Sequence, residues 1–68
     1  MSSLDKVFTV IETVVSHQST GLKFAAIVAK TELSKSTVHR ILKYLIRAGY
    51  LSFSTDTKMY RGALKPVS

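Results

Sequence analysis

The 68-residue sequence contains no cysteine. Disulfide staples and thiolate metal sites are thereby excluded, and a core of this size, marginal but feasible, must hold by packing alone. A reducing compartment fits that composition. Tryptophan is also missing, and the aromatic residues are three tyrosines and three phenylalanines. That is a thin supply for the base-stacking platforms of RNA binders, and the A-form major groove excludes a helix. Carboxylates are scarce: Asp5, Glu12, Glu32 and Asp56 are all there are. Asp5 and Glu12 share a helix but point out along its surface, so no carboxylate pair is set for acid–base work. No apolar run approaches the roughly 18 residues of a membrane span, and the N-terminus has no signal-peptide core. The two histidines, His17 and His39, show no metal-ligand spacing, and there is no glycine loop to cradle a phosphate. These absences argue against an enzyme, a metal and a cofactor.

Cations are abundant. The formal net charge is +6 and the isoelectric point is near 10.0, which points to a polyanionic partner. Residues 1–29 are balanced, with Lys6 and Lys23 against Asp5 and Glu12. The whole excess falls in residues 30–68, on Lys30, Lys35, Arg40, Lys43, Arg47, Lys58, Arg61 and Lys65.

The stretch from Leu33 to Gly49 organises this charge. Val38, Ile41, Leu42, Leu45 and Ile46 recur at helical spacing and form an apolar stripe. Ser36, Arg40, Lys43 and Arg47 gather on the opposite face at about 100° per residue. Ser34 is a ready N-cap and Gly49 a left-handed terminator. His39 and Tyr44 fall at the two boundaries between core and free face. A helix with hydroxyl residues at its N-terminus and cations along its free face suits the major groove of duplex DNA. An ordinary solvated helix would carry similar charges, so the flanking segments decide.

Upstream, Ser2 with Asp5 has the spacing of a capping box that opens a first helix. Leu4, Val7, Phe8, Ile11, Val14 and Val15 form its inner stripe, widened by Val10. So broad a stripe reads first as a helix well buried in its own core; the alternative is a homodimer contact along the Val10 and Val14 edge. A polar loop, His17 to Gly21, leads to Leu22-Lys23-Phe24, which alternates like a short strand. Ala25 to about Thr31 reads as a short helix with Phe24, Ile27 and Val28 inward and no good N-cap. Thr31-Glu32-Leu33 then joins two helices as a helix-turn-helix.

Downstream the period changes from 3.6 to 2. Tyr50 to Ser54 alternates with Leu51 and Phe53 on one face, Thr55 to Lys58 turns, and Met59 to Arg61 returns. This hairpin is the wing of a winged helix, with Lys58 and Arg61 able to reach phosphates or a minor groove. The expected fold is mostly α with a small β-hairpin: three helices and a two- or three-stranded wing over residues 1–64, then a flexible tail or linker start at 65–68.

From Ser3 to Tyr60 the sequence resembles the DNA-binding domain of the IclR (isocitrate lyase regulator) transcription factors. The likeness rests on Ser3-Leu4-Asp5-Lys6-Val7, on Gly21 to Ala29, and above all on Leu33-Ser34-Lys35-Ser36-Thr37-Val38-His39-Arg40-Ile41-Leu42, followed by Leu45 and Gly49-Tyr50-Leu51. The resemblance implies that Ser36, Thr37 and Arg40 face DNA. Glu32 stands where the family has glycine, Ser34 where it has proline, and Tyr60-Arg61-Gly62-Ala63 where it closes the wing with tyrosine-x-leucine-glycine. The family's C-terminal effector-sensing domain is absent from this chain, which is either a domain cut from a longer regulator or a naturally small protein, and no effector ligand is assigned.

The reading is therefore a sequence-specific duplex-DNA binder that regulates transcription in the cytoplasm, on a bacterial or archaeal nucleoid or encoded by a phage or plasmid. Its contact residues are Ser34, Lys35, Ser36, Thr37, His39, Arg40, Lys43, Tyr44, Arg47, Lys58 and Arg61. The alternative is a winged-helix protein-interaction module in a phage or plasmid assembly. Such a module would expose large apolar anchors in place of the serine and cations of the central helix.

Overall fold

The structure, a computed structural model, describes residues 2–17 and 19–63. The tail expected at 65–68 lies outside them. The elements run α1 (Ser3–Val15), β1 (Leu22–Lys23), α2 (Phe24–Thr31), α3 (Lys35–Ala48), β2 (Leu51–Ser54) and β3 (Met59–Gly62). The strands form one antiparallel sheet in the order β1-β3-β2. This is a winged helix-turn-helix with a three-stranded wing.

Helices α1 and α3 begin on side-chain caps, and all three helices end where backbone groups find partners. Ser2 caps α1 through the expected box: its hydroxyl accepts from Asp5 N at 3.2 Å, and the Asp5 carboxylate accepts from Ser2 N at 3.3 Å. Helix α2 starts at Phe24, one residue earlier than expected, with no side-chain cap at Lys23. It ends on Glu32, which takes the left-handed conformation (φ 59°, ψ 23°) that the family assigns to glycine. Thr31 completes this turn. Its hydroxyl donates to Ile27 O at 2.7 Å and accepts from Leu33 N at 3.4 Å, so a buried polar residue is satisfied on both sides. Helix α3 is capped by Ser34, whose hydroxyl accepts from Thr37 N at 3.3 Å. It closes on Gly49 at φ 89°, and Tyr50 N reaches back to Leu45 O at 2.9 Å. That six-to-one bond is the Schellman closure.

One core joins these elements. Val10 and Val14 of α1, Leu22 of β1, Ile27 of α2, Val38, Ile41, Leu42 and Leu45 of α3, and Leu51 of β2 are buried together. Strand β3 adds Tyr60, whose ring lies 4.8 Å from that of Phe53 across the hairpin. The hairpin is tied to α3 through Tyr50: Ala63 N donates to Tyr50 O at 3.0 Å, and β3 runs one residue past its expected end to pair Gly62 with Leu51.

The first helix departs from expectation in which edge is covered. Val10 and Val14 are fully buried in the chain's own core, so they offer no dimer edge. Leu4, Phe8 and Val15, expected inside, are 64 %, 52 % and 36 % exposed. The apolar arc is as wide as the sequence implied, but α2 and α3 meet its Val10 side. The Leu4–Phe8 side is left over because one small domain has nothing more to pack on it.

Two stability predictions follow from the backbone and the sheet. Glu32→Gly removes a left-handed strain of about 1 kcal/mol and should raise Tm by several degrees, whereas Gly49→Ala should lower stability by about as much. Equal melting temperatures for Glu32→Gly and wild type would refute the first. Burial of Tyr60 pushes its phenol above the ordinary value of 10.0. The folded chain therefore holds that proton longer than the unfolded chain does. Its contribution is complete below about pH 10 and is lost as pH rises through the folded value. In an alkaline melting series the wild type should lose stability above pH 10 more steeply than Tyr60→Phe.

Candidate nucleic-acid interface

The four buried residues of α3 turn its other side outward. Lys35, Ser36, Arg40, Lys43 and Arg47 are all exposed, and α3 carries no carboxylate. At 1.5 Å per residue, the shared face from Ser36 to Arg47 is about 17 Å long, and Lys35 lies off it at the start of the helix. The N-terminus of α3 adds the positive end of the helix dipole and a knot of hydroxyls. Ser34 Oγ donates to Thr37 Oγ1 at 2.8 Å and lies 3.4 Å from Ser36 Oγ. Ser34 is thus a cap that also presents an exposed hydroxyl.

The two flanks of this face differ. On the α2 side His39 sets its ring edge-on to Phe24, with centroids 6.3 Å apart. On the α1 side Thr37, Arg40 and Tyr44 border a groove of about 860 Å³ whose other wall is Leu4, Val7, Phe8 and Ile11. Both boundary residues, His39 and Tyr44, therefore sit where the helical angle put them, but Tyr44 faces α1 as much as solvent. Lys6 and Tyr50 also line this groove. Neither was expected at a site, since it takes the packing of α1 against α3 to bring them there, and no local pattern reports that.

The hairpin cations are separated. Lys58 lies in the exposed turn with φ 58°, its N–H donating to Ser54 O at 2.7 Å. Arg61 is exposed but lies in the body of β3, opposite Ser52. Its side chain lies over Gly21: a Cβ there would sit 3.1 Å from Arg61 Nε. Lys58, by contrast, stands in the turn before β3 begins at Met59. The structure thus gathers Ser36, Arg40, Lys43 and Arg47 on one face, with Lys35 exposed about 100° round from it at the helix start, and leaves Lys58 and Arg61 as two separate points on the wing. Among the described residues no three His, Asp or Glu side chains cluster as a metal site would require. No helix there is long and apolar enough to cross a membrane.

A family model for the IclR helix-turn-helix domain matches residues 3–54. The match covers all three helices and ends with β2, so the hairpin turn and β3 lie beyond it. No curated protein and no solved structure gives a match. With helix-turn-helix geometry, a cationic α3 and a family match over most of its length, the chain belongs to the IclR helix-turn-helix family of DNA-binding transcription regulators.

Proposed function

We propose that this protein binds duplex DNA sequence-specifically, with α3 in the major groove and the hairpin as a wing beside it. The observation that carries this reading is the outward face of α3: cations on one side of a helix capped at both ends, with no carboxylate among them. Ser36, Thr37 and Arg40 occupy its first two turns, where a recognition helix meets base edges. Lys35, Lys43 and Arg47 suit phosphates, as does Ser34 at the helix N-terminus. His39 and Tyr44 would meet the backbone at the two flanks. Lys58, and more distantly Arg61, would clamp phosphate or the minor groove. Such a regulator acts where the chromosome, phage or plasmid DNA lies, in the cytoplasm.

A protein-interaction role keeps one specific observation in its favour. Large apolar side chains are exposed, but beside the cationic face of α3 rather than on it. The two surfaces can therefore serve different partners on one molecule.

Two measurements test the DNA reading. If Arg40 makes a bidentate contact to guanine, Arg40→Ala costs roughly 1–3 kcal/mol and relaxes preference at one base position. Site selection from random duplexes that returned an unchanged motif with the mutant would assign Arg40 to phosphate or to no contact. Each phosphate contact adds about −0.9 to the slope of log K against log salt, so Lys43, Arg47, Lys58 and Arg61 together give a slope near −4. The Lys58→Ala, Arg61→Ala double variant should flatten it by roughly two and weaken all sequences alike. An unchanged slope would reassign the wing to packing.

A further inference from the structure

The groove between α1 and α3 combines an apolar interior with two cations. Its volume of about 860 Å³ falls in the range of small-molecule sites, roughly 300–1,000 Å³. Val7, Ile11, Ile41 and Leu45 line its depth, while Phe8 and Tyr44 stand more exposed on its two walls. Lys6 borders it from α1 and Arg40 from α3. Lys6 is half-buried, the setting in which a lysine lays its stem on apolar surface and keeps its ammonium at the rim.

The chain's own carboxylate side chains are engaged or placed elsewhere. Asp5 is held by the Ser2 cap. Glu12 lines a separate depression with Thr13, Val15 and Ser16. Glu32 ends α2 and Asp56 sits in the hairpin turn. Among the described residues, no carboxylate lines the groove beside Lys6 and Arg40.

We propose that this groove binds an amphipathic anion, an elongated aliphatic carboxylate whose chain fills the apolar cleft and whose head pairs with Lys6 and Arg40. Each part of the site selects one part of that ligand. A small hydrophilic anion would leave the apolar walls uncovered, and a neutral chain of the same length would leave both cations unanswered. A cationic amphiphile would be repelled by them. The planar guanidinium of Arg40 suits a carboxylate, which it can grip with two parallel hydrogen bonds. The α1 wall from Leu4 to Ile11 runs for about 10 Å, and this sets the length of the apolar body.

The site also reaches the recognition face, because Arg40 and Thr37 belong to both. An Arg40 paired with a carboxylate is withdrawn from DNA, so ligand and duplex compete. This consequence rests on the DNA-binding reading; the site itself does not.

The probe is decanoate, with acetate, decanol and decyltrimethylammonium as controls. In NMR titrations decanoate should bind saturably at about 100 μM, moving Lys6, Phe8, Ile11, Arg40 and Tyr44 together. Acetate should move none of them, and the two uncharged or cationic decyl compounds should bind at least about tenfold more weakly. Lys6→Gln changes a residue outside the DNA-contact set. It should keep the wild-type melting temperature and duplex affinity but bind decanoate about fivefold more weakly. Decanoate at ten times its wild-type Kd should then weaken duplex binding about tenfold in wild type and about threefold in Lys6→Gln. No saturable shift up to about 2 mM, equal binding of decanol, or an unchanged decanoate affinity in Lys6→Gln would overturn the proposal. So would decanoate shifts that vanish as the protein concentration rises, since a second copy would then be the occupant. Failure to bind any selected duplex, with decanoate binding and its weakening in Lys6→Gln intact, would instead strike the DNA reading alone.

Discussion

Burial of one stripe of α3 decides where almost everything else in this molecule points. Val38, Ile41, Leu42 and Leu45 face inward together, and α1, α2 and β2 all contribute to the core they enter. With that side occupied, the geometry of the helix leaves Ser36, Arg40, Lys43 and Arg47 no other side to occupy. The charge of the face is thus a consequence of packing, and packing in turn is held in register by the two ends of α3. Ser34 starts the helix, and Gly49 with Tyr50 stops it in a turn that launches the hairpin.

The same packing explains the surface that remains uncovered. A domain of this length has only so much interior, and α1 brings a wider apolar arc than α2 and α3 can meet. Its Val10 side is sealed and its Leu4–Phe8 side is left at the rim of a groove. That groove shares Arg40 and Thr37 with the recognition face, so the apolar and the cationic surfaces meet along one edge of α3.

Much of this was legible in local chemistry. Capping pairs such as Ser2 with Asp5, the period of the α3 stripe, and the change of period at Tyr50 depend on residues close in sequence, and the structure follows them. The place of the turn between α2 and α3 was legible, but not its conformation: Glu32 stands where the family has glycine, and it is Glu32 itself that takes the left-handed backbone. The role of Thr31 went unread because a hydroxyl satisfied by Ile27 and Leu33 looks, in sequence, like any polar residue at a helix end. The allocation of α1 was misjudged for a different reason. Its two apolar edges are chemically alike, and the angle at which α1 meets α3 decides between them. That angle is set by contacts far apart in the chain. The placement of Arg61 over Gly21 is of the same long-range kind, since it follows from the pairing of β1 with β3.

The central claim, that the outward face of α3 is the surface that meets DNA, is open to a direct measurement. Amide and side-chain NMR shifts can be followed while the chain is titrated with a short selected duplex. The account predicts that the largest changes fall on residues 34–40, on Lys43 and Arg47, and on the turn at residues 55–58, while Ile27 and the rest of the inner side of α2 stay still. Changes concentrated on α2 or the loop before β1, with the α3 face unmoved, would contradict it.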